Sequence, residues 1–208
     1  MEWLNGIQLD SLLSRIVALL VAITLHDAAQ AAAASLLGDR TAREQGRMTL
    51  NPLAHLSAIG LLPILFGPFG WSKPVPVAPS GQLRRPWHAV AIYASGPAVN
   101  LIVAVLLWGI ELHLPGAISG GLFHSVLQWF IIVNMMLVLL HLLPFYPMDL
   151  WKIIRRGLPQ AWEPKLNRQE RLGTAVLIAL IVTPFGQVLF MKGFNVLGNV
   201  VMQLYGAG

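Results

Sequence analysis

His26 and Gln30 stand four residues apart inside an apolar run, and Asp27 follows the histidine directly. Residues four apart share one face of a helix, so both side chains point the same way. In the zinc-binding helix motif His-Glu-x-x-His, two histidines at this spacing hold the metal and the glutamate is the general base. Here the first ligand is present, while Asp27 stands in place of the base and Gln30 in place of the second ligand.

Asp27 is an ionisable group inside a segment long enough to cross a bilayer. Burying such a group in a membrane is costly, so one that is present usually has a function. The alanines that follow form a thin surface where neighbouring helices can approach closely. A polar packing seam is therefore the alternative interpretation of this cluster. Because a base must come within about 2.6–3.2 Å of its proton, the shorter aspartate has less reach than a glutamate. Asp27 is the candidate catalytic base if the site is active.

Asp149 is the second carboxylate of interest, because it follows Pro144 and Pro147 at the end of an apolar run. Prolines free backbone groups that must be satisfied inside the protein, so we expect the chain there to line a protected cavity. A carboxylate in such a cavity is a candidate zinc ligand. An ordinary carboxylate at a helix end is the alternative.

The composition is that of an integral membrane protein. Of the 208 residues, 56% are hydrophobic and 11% are charged, whereas about a quarter of a soluble domain is charged. The chain has no cysteine, which excludes disulfides and cysteine-based metal sites. The N-terminus lacks the basic region and cleavage site of a signal peptide. The net charge of +5 concerns orientation in the lipid bilayer, and we expect no nucleic acid partner.

The apolar runs predict an all-α polytopic protein with a single membrane domain over residues 1–208. Three clear spans are predicted, at about residues 12–37, 88–112 and 122–143. Segment 54–69 is shorter and broken by prolines and glycines, which predicts a re-entrant or interfacial element. The alternating prolines of residues 71–77 predict an extended, edge-like strand. Residues 172–205 predict one more span plus a short interfacial or returning helix.

The basic residues test this topology. If segment 54–69 does not cross, three loops lie on one side and carry 12 of the 14 Lys and Arg residues. These loops are residues 38–53, 70–87 and 150–171. Positive loops stay in the cytoplasm, so we expect them there and the N-terminus outside.

Five segments, in order, carry a resemblance to a known family. They are His26-Asp27-Ala28-Ala29-Gln30, the loop of residues 37–42 and 46–55, Gly70-Trp71-Ser72-Lys73-Pro74-Val75-Pro76-Val77, Ala94-Ser95-Gly96-Pro97-Ala98-Val99-Asn100 and His141-Leu142-Leu143-Pro144-Phe145-Tyr146-Pro147-Met148-Asp149. Together they resemble the motifs of the site-2 protease family of intramembrane zinc metalloproteases. The resemblance covers about residues 20–160 and implies a three-span core, and the apolar region 172–205 adds one or two C-terminal segments.

The resemblance also implies a cofactor, ligands and partners. It implies zinc, with His26 and Asp149 as metal ligands, and transmembrane segments of other membrane proteins as substrates or clients. It further implies substrate-binding residues on an extended element and at a helix start, namely Lys73, Pro74, Val75 and Asn100. An edge strand can hold a substrate in extended form, and a plain surface loop is the alternative for residues 73–75.

The departures from the family's pattern concern the metal. Gln30 replaces a histidine ligand, and a neutral amide is a poor substitute for it. His141 stands where the family usually has an asparagine. One hypothesis brings His141 into the site beside His26 and Asp149, with Gln30 or water completing the metal shell. The alternative is that His141 only takes over the hydrogen-bonding role of the asparagine.

Three functions are compatible with these residues. The first is an intramembrane zinc metalloprotease, and the second is a catalytically silent relative that binds membrane helices as a chaperone, decoy or regulator. The third is a small transporter that uses Asp27 and Asp149 as titrating groups. Two changes in one motif favour the silent relative as a mechanism, while the resemblance favours the protease as a class. We expect the protein in the inner membrane of a bacterium.

Overall fold

A computed structural model describes residues 9–78, 86–114 and 121–206, and over these residues it is helical without strands. The α-helices are α1 (Leu9–Leu36), α2 (Thr41–Glu44), α3 (Ala58–Leu61), α4 (Pro86–His113), α5 (Gly121–His141), α6 (Asp149–Arg156), α7 (Glu163–Val182) and α8 (Pro184–Leu204). Short 3-10 turns cover Pro52–Ala54, Leu62–Leu65 and Gln160–Trp162. The predicted all-α fold is confirmed.

Helices α1, α4 and α5 are long and apolar enough to cross a membrane, and each packs against the other two. Their spanning parts are Ser11–Leu36, Trp87–His113 and Gly121–His141. These confirm the three predicted spans. The helices form because long, mostly apolar stretches make them up, and α4 even continues through Pro97.

Segment 54–69 forms a short helix and a 3-10 turn that pack on the three-helix core. Ser57 caps α3 by accepting a hydrogen bond from the backbone of Gly60. Ile64 then packs against α1 and α5, in a cluster with Leu19 and Leu137. The prolines and glycines break the helix here as the sequence predicts, and the remaining apolar side chains attach the segment to the core.

The edge-like strand predicted at residues 71–77 is wrong, because no strand forms among the described residues. The segment is held by single hydrogen bonds instead, from Trp71 N to Gly60 O and from Lys73 N to His55 O, each 2.9 Å long. Pro74 and Pro76 have no N–H to donate, so a regular ladder cannot continue past Lys73.

The C-terminal region contains two helices, α7 and α8, which meet at a bend of 79°. The break falls at Pro184, where Thr183 accepts a hydrogen bond from the backbone of Gly186 and caps α8. Helix α8 covers α5 through Phe190 and reaches α4 through Tyr205, whose hydroxyl donates to Val105 O at 2.8 Å. Two C-terminal helices therefore follow the core, and their length and composition fit either one broken span or a re-entrant pair.

Candidate metal centre

His26 lies in the middle of α1, where a chain of buried hydrogen bonds orients its ring. Asn134 donates to Phe130 O at 2.8 Å, and Asn100 donates to Asn134 Oδ1 at 2.8 Å. The amide oxygen of Asn100 is thereby left to accept from His26 Nδ1 at 2.7 Å. This chain assigns the ring proton to Nδ1. Nε2 of His26 therefore presents its lone pair to the opposite side, which is where a metal would bind.

Nε2 of His26 faces two groups with opposite requirements. Asp149 Oδ2 lies 2.9 Å away and needs a donor, while Gln30 Nε2 lies 3.0 Å away and is itself a donor. A protonated Nε2 satisfies Asp149 and opposes the amide, whereas an unprotonated Nε2 accepts from Gln30 and opposes the carboxylate. No single placement of a proton on His26 satisfies both contacts, but a cation between Nε2 and Oδ2 would attract both atoms.

Asp149 opens α6 and is buried between three cationic or ionisable partners. Its Oδ2 also accepts from His141 Nδ1 at 2.6 Å, and its Oδ1 accepts from Lys152 Nζ at 2.8 Å. Burial by itself raises the pKa of the Asp149 carboxyl, but the Lys152 ammonium and the two histidines outweigh it and hold that pKa well below its ordinary value. Asp149 is therefore a buried anion.

The structure brings His26, His141 and Asp149 into one cluster, with one potential ligand atom of each lying within 4.8 Å of the others. All three side chains are buried, and the two imidazole rings are 4.2 Å apart at their centroids. Two imidazoles and a carboxylate are a donor set that zinc accepts, and three protein ligands leave one position for a water or a fourth ligand. The residues present therefore fit a zinc ion.

Gln30 lies beside the cluster and also approaches a carbonyl oxygen of α4. Pro97 has no N–H, so the carbonyl of Tyr93 one turn earlier loses its helical partner. Gln30 Nε2 lies 3.5 Å from that carbonyl oxygen, while its own Oε1 is buried without a hydrogen-bond partner. The amide is thus placed between the broken backbone of α4 and the metal cluster, with one acceptor unused.

Gly96 allows α4 to approach the His26 ring. A Cβ atom at this position would lie 2.4 Å from His26 Nε2 and 2.6 Å from two ring carbons. Because Asn100 holds the ring from the other side, His26 cannot move away freely. The glycine in the Ala94–Asn100 segment is therefore a requirement of the metal cluster.

Asp27 belongs to a different cluster, although it follows His26 in sequence. Its Oδ2 accepts from Arg47 Nη2 at 3.1 Å and from His55 Nδ1 at 3.0 Å, and its Oδ1 accepts from Ser72 Oγ at 2.8 Å. The carboxylate is buried, and its three partners come from the loop after α1 and from the extended segment. The sequence alone does not predict these partners, because nothing in the spacing of Arg47, His55 and Ser72 connects them to α1.

His55 is, besides Arg47, the second basic side chain that contacts Asp27. Its Nδ1 faces the carboxylate and its Nε2 faces Thr49 O at 2.9 Å, so both ring nitrogens face acceptors. Burial alone lowers the pKa of His55, but the hydrogen bonds to Asp27 and to the Thr49 carbonyl outweigh it and raise that pKa above the ordinary value. Asp27 therefore pairs with the Arg47 guanidinium and favours the protonated form of His55.

The predicted substrate-binding residues lie in two places. Lys73 and Pro74 have exposed side chains, but their carbonyl oxygens accept from Arg47 at 2.6 and 3.3 Å. Val75 is buried against α1 and α2. Pro74 and Val75 also line a cavity of about 400 Å³ that extends to Lys152. Asn100 is completely buried beneath His26.

An apolar groove of about 290 Å³ opens beside the metal cluster. One wall is a face of α4, and the other comes from the end of α5 and the start of α6. The lining residues are Tyr93, Ala94, Pro97, Ala98, Leu101, Val138, His141, Leu142, Asp149, Leu150 and Ile153. The two ligand candidates His141 and Asp149 are the only ionisable side chains among them besides Tyr93.

The sequence is similar to curated proteins that are named as zinc metalloproteases. It is 34% identical over 199 residues to "Putative zinc metalloprotease YwhC" of Bacillus subtilis, an alignment that covers 92% of this chain and 90% of that protein. The chain belongs to the site-2 protease family. A scan against protein-family models gives no match, and a search of solved structures gives none either.

Two mycobacterial proteins of the site-2 protease family are more distant. "Putative zinc metalloprotease Rip2" of Mycolicibacterium smegmatis is 26% identical, over 79% of this chain and 65% of its own length. "Putative zinc metalloprotease Rip3" of Mycobacterium tuberculosis is 27% identical, over 61% of this chain and 32% of its own length. The chain thus spans about a third of Rip3, and nearly all of YwhC.

Proposed function

We propose that this site-2 protease family protein binds transmembrane helices of other membrane proteins without cleaving them. One observation carries the proposal, which is that both carboxylate oxygens of Asp27 are occupied by partners in the loop and the extended segment. The residue in the position of the catalytic base is therefore committed to holding the fold together.

A general base needs a free oxygen within about 2.6–3.2 Å of the proton it takes, directly or through one water. To turn toward His26, the Asp27 carboxylate would have to leave Arg47 and His55, and breaking a buried ion pair costs roughly 3–5 kcal/mol. Asp149 is the other carboxylate of the site, and its oxygens contact His26, His141 and Lys152. Among the described residues of the site, each carboxylate oxygen of Asp27 and of Asp149 therefore already accepts at least one hydrogen bond.

The groove between α4, α5 and α6 supports the binding of a helix. Ala94, Pro97, Ala98 and Leu101 follow a helical repeat and line one wall, and Ala94 and Ala98 are exposed. Small residues four apart let a second helix approach a backbone closely, which is how helices associate in lipid. Leu142 opposite is 55% exposed and offers an apolar contact for the same partner.

Zinc-dependent peptide hydrolysis is the competing function. It is favoured by the names of the relatives and by the cluster of His26, His141 and Asp149. Bound zinc would supply a Lewis acid and a water of lowered pKa. Hydrolysis would then depend on that water alone or on an Asp27 released from its partners.

The test uses purified protein in lipid vesicles and two fluorescent synthetic transmembrane peptides, one a Leu/Ala helix and one with a central Asn-Gly-Pro break. Energy transfer measures binding, and mass spectrometry of the peptides measures cleavage. We expect binding without cleavage. Ala98→Trp should fill the groove and weaken binding at least tenfold, while Leu106→Trp, on the exposed part of α4 outside the groove, should leave it unchanged.

Other results would decide against the proposal. Cleavage within the span that disappears in His26→Ala would establish the protease instead. Equal binding by the wild type and Ala98→Trp would remove the groove as the binding site. Activity that appears only in the double variant Asp27→Glu with Gln30→His would support the proposal, because it would show that the scaffold is sound and the motif is what was lost.

A further inference from the structure

We infer that the second histidine ligand of the metal has moved in this chain from α1 to the end of α5, where it is His141. The inference is independent of helix binding and of cleavage, because it concerns what holds the ion. It would make His26, His141 and Asp149 the three protein ligands of a zinc site in a family where the residue at position 30 normally supplies one of them.

The potential ligand atoms of His26, His141 and Asp149 lie close together. His26 Nε2 and His141 Nδ1 lie 2.9 and 2.6 Å from the same oxygen, Asp149 Oδ2. Three potential ligand atoms thus surround one point from α1, α5 and α6. Gln30 Nε2, one turn along α1, lies 3.0 Å from His26 Nε2, so the position of the lost ligand borders the same point.

The position of the ring proton on His26 also favours a cation in the cluster. The hydrogen-bond chain through Asn100 and Asn134 keeps the proton of His26 on Nδ1. Nε2 then carries a lone pair toward the oxygen of a carboxylate, a contact that is repulsive without a positive charge between the atoms. A divalent cation attracts Nε2, Nδ1 of His141 and the carboxylate oxygen together, whereas one proton joins only two of them.

The hydrogen-bond partners of His26 and Asp149 are of the kind that metal ligands have. A metal-bound histidine usually donates its other ring N–H to an acceptor, and a metal-bound carboxylate is usually hydrogen-bonded as well. Asn100 supplies the acceptor for His26, and Lys152 occupies Oδ1 of Asp149 while leaving Oδ2 to the cluster. These supports are those of a metal site rather than of a simple buried hydrogen bond.

Gln30 completes the argument through its unused oxygen. Oε1 is buried without a partner, and an unpaired buried polar atom in a native structure requires an explanation. A half-turn of the amide would point Oε1 at the cluster, where it or a water could take the fourth position. Imidazole and carboxylate ligands suit zinc, which is the metal in the names of the relatives.

The experiment measures zinc per chain by mass spectrometry after gentle detergent purification, and zinc affinity by competition with a chelator. We compare the wild type with His141→Asn, which restores the residue usual in the family, and with His113→Asn, an exposed histidine at the end of α4. We expect near-stoichiometric zinc in the wild type and in His113→Asn. His141→Asn should bind zinc at least about tenfold more weakly.

A double variant separates loss of a ligand from loss of the fold. Gln30→His combined with His141→Asn returns the second histidine to α1, and we expect it to recover zinc binding. Cobalt substituted for zinc should give visible d–d absorption in the wild type and in the double variant, and a much weaker spectrum in His141→Asn. Wild-type protein without zinc, or His141→Asn with unchanged zinc affinity, would overturn the inference.

Discussion

At the scale of residues, His26 and Asp27 show how neighbours on one helix can serve separate tasks. Consecutive side chains on a helix point about 100° apart, so His26 faces the metal cluster while Asp27 faces the loop. A longer glutamate can reach around toward a neighbouring site, but the aspartate ends among Arg47, His55 and Ser72. The Asp27 carboxylate thus ties the loop and the extended segment to α1.

Asn100→Ala should weaken zinc binding by about 10- to 100-fold, because such losses follow when a partner that orients a metal ligand is removed. Without the amide oxygen, the proton of His26 can move to Nε2 and compete with the metal. A chelator competition measures the affinity, and Gln128→Ala, an exposed amide on α5, is the control. Unchanged affinity in Asn100→Ala would separate Asn100 from the metal site.

His55 should make stability depend on pH. Its pKa is raised in the folded protein, above an ordinary value of about 6.5. Its contribution is therefore fully present below that ordinary value and is lost as the pH rises through the raised pKa. The groups that face it are Asp27, Arg47 and the Thr49 carbonyl.

The measurement is the melting temperature of detergent-purified protein as the pH is raised from below the ordinary pKa of histidine, about 6.5. His55→Gln should flatten the decline with rising pH, and the matched control His113→Gln should keep it. A decline of equal slope in His55→Gln would assign the effect to another group.

At the scale of elements, α4 is adapted to the site by one glycine and one proline. Gly96 makes room for the His26 ring, and Pro97 frees the Tyr93 carbonyl that Gln30 approaches. The remainder of α4 needs only to be apolar, because it packs on α1 and α5 over its length.

Gly96→Ala should destabilise the protein by about 1–3 kcal/mol, as overpacking does in close-packed interiors. Alanine favours a helix over glycine by about 1 kcal/mol, but the contact of 2.4 Å with a ring held by Asn100 outweighs that gain. Zinc content should fall together with the melting temperature. Gly157→Ala, whose Cβ would meet its nearest atom at 3.5 Å, is the control and should change neither.

At the scale of the whole molecule, the basic loops predict one orientation in the membrane. Residues 79–85, which carry two of the basic residues, lie outside the described residues, as do residues 1–8. Arg47 and Arg156 nevertheless meet at the extended segment, where they donate to the carbonyl oxygens of Pro74 and Val77. The orientation itself stays a prediction, and the absence of cysteine makes it simple to test.

Single cysteines at Glu44, Lys165 and Leu122, all exposed, should report the sides of the membrane. With positive loops in the cytoplasm, a membrane-impermeant maleimide should label positions 44 and 165 in inverted vesicles and position 122 in intact cells. Labelling of position 44 and position 165 from opposite sides would mean that segment 54–69 crosses the bilayer.

The class and the spans follow from the sequence, which also predicts His26 and Asp149 as metal ligands. Hydrophobic runs and breakers act locally, so the three spans and the break at Pro184 follow from composition and spacing. The family followed from short motifs in order, and the similarity to YwhC confirms it. His26 and Asp149 were identified because each lies in a distinctive local pattern.

Only the tertiary structure decided which charged groups meet. The distance between His26 and Asp149, the entry of His141, the support by Lys152 and the capture of Asp27 by Arg47, His55 and Ser72 all join residues from different elements. Such contacts depend on how helices rotate against one another, and an apolar sequence leaves that rotation open. Buried polar side chains settle it, because each must find a partner once the bilayer and the core exclude water.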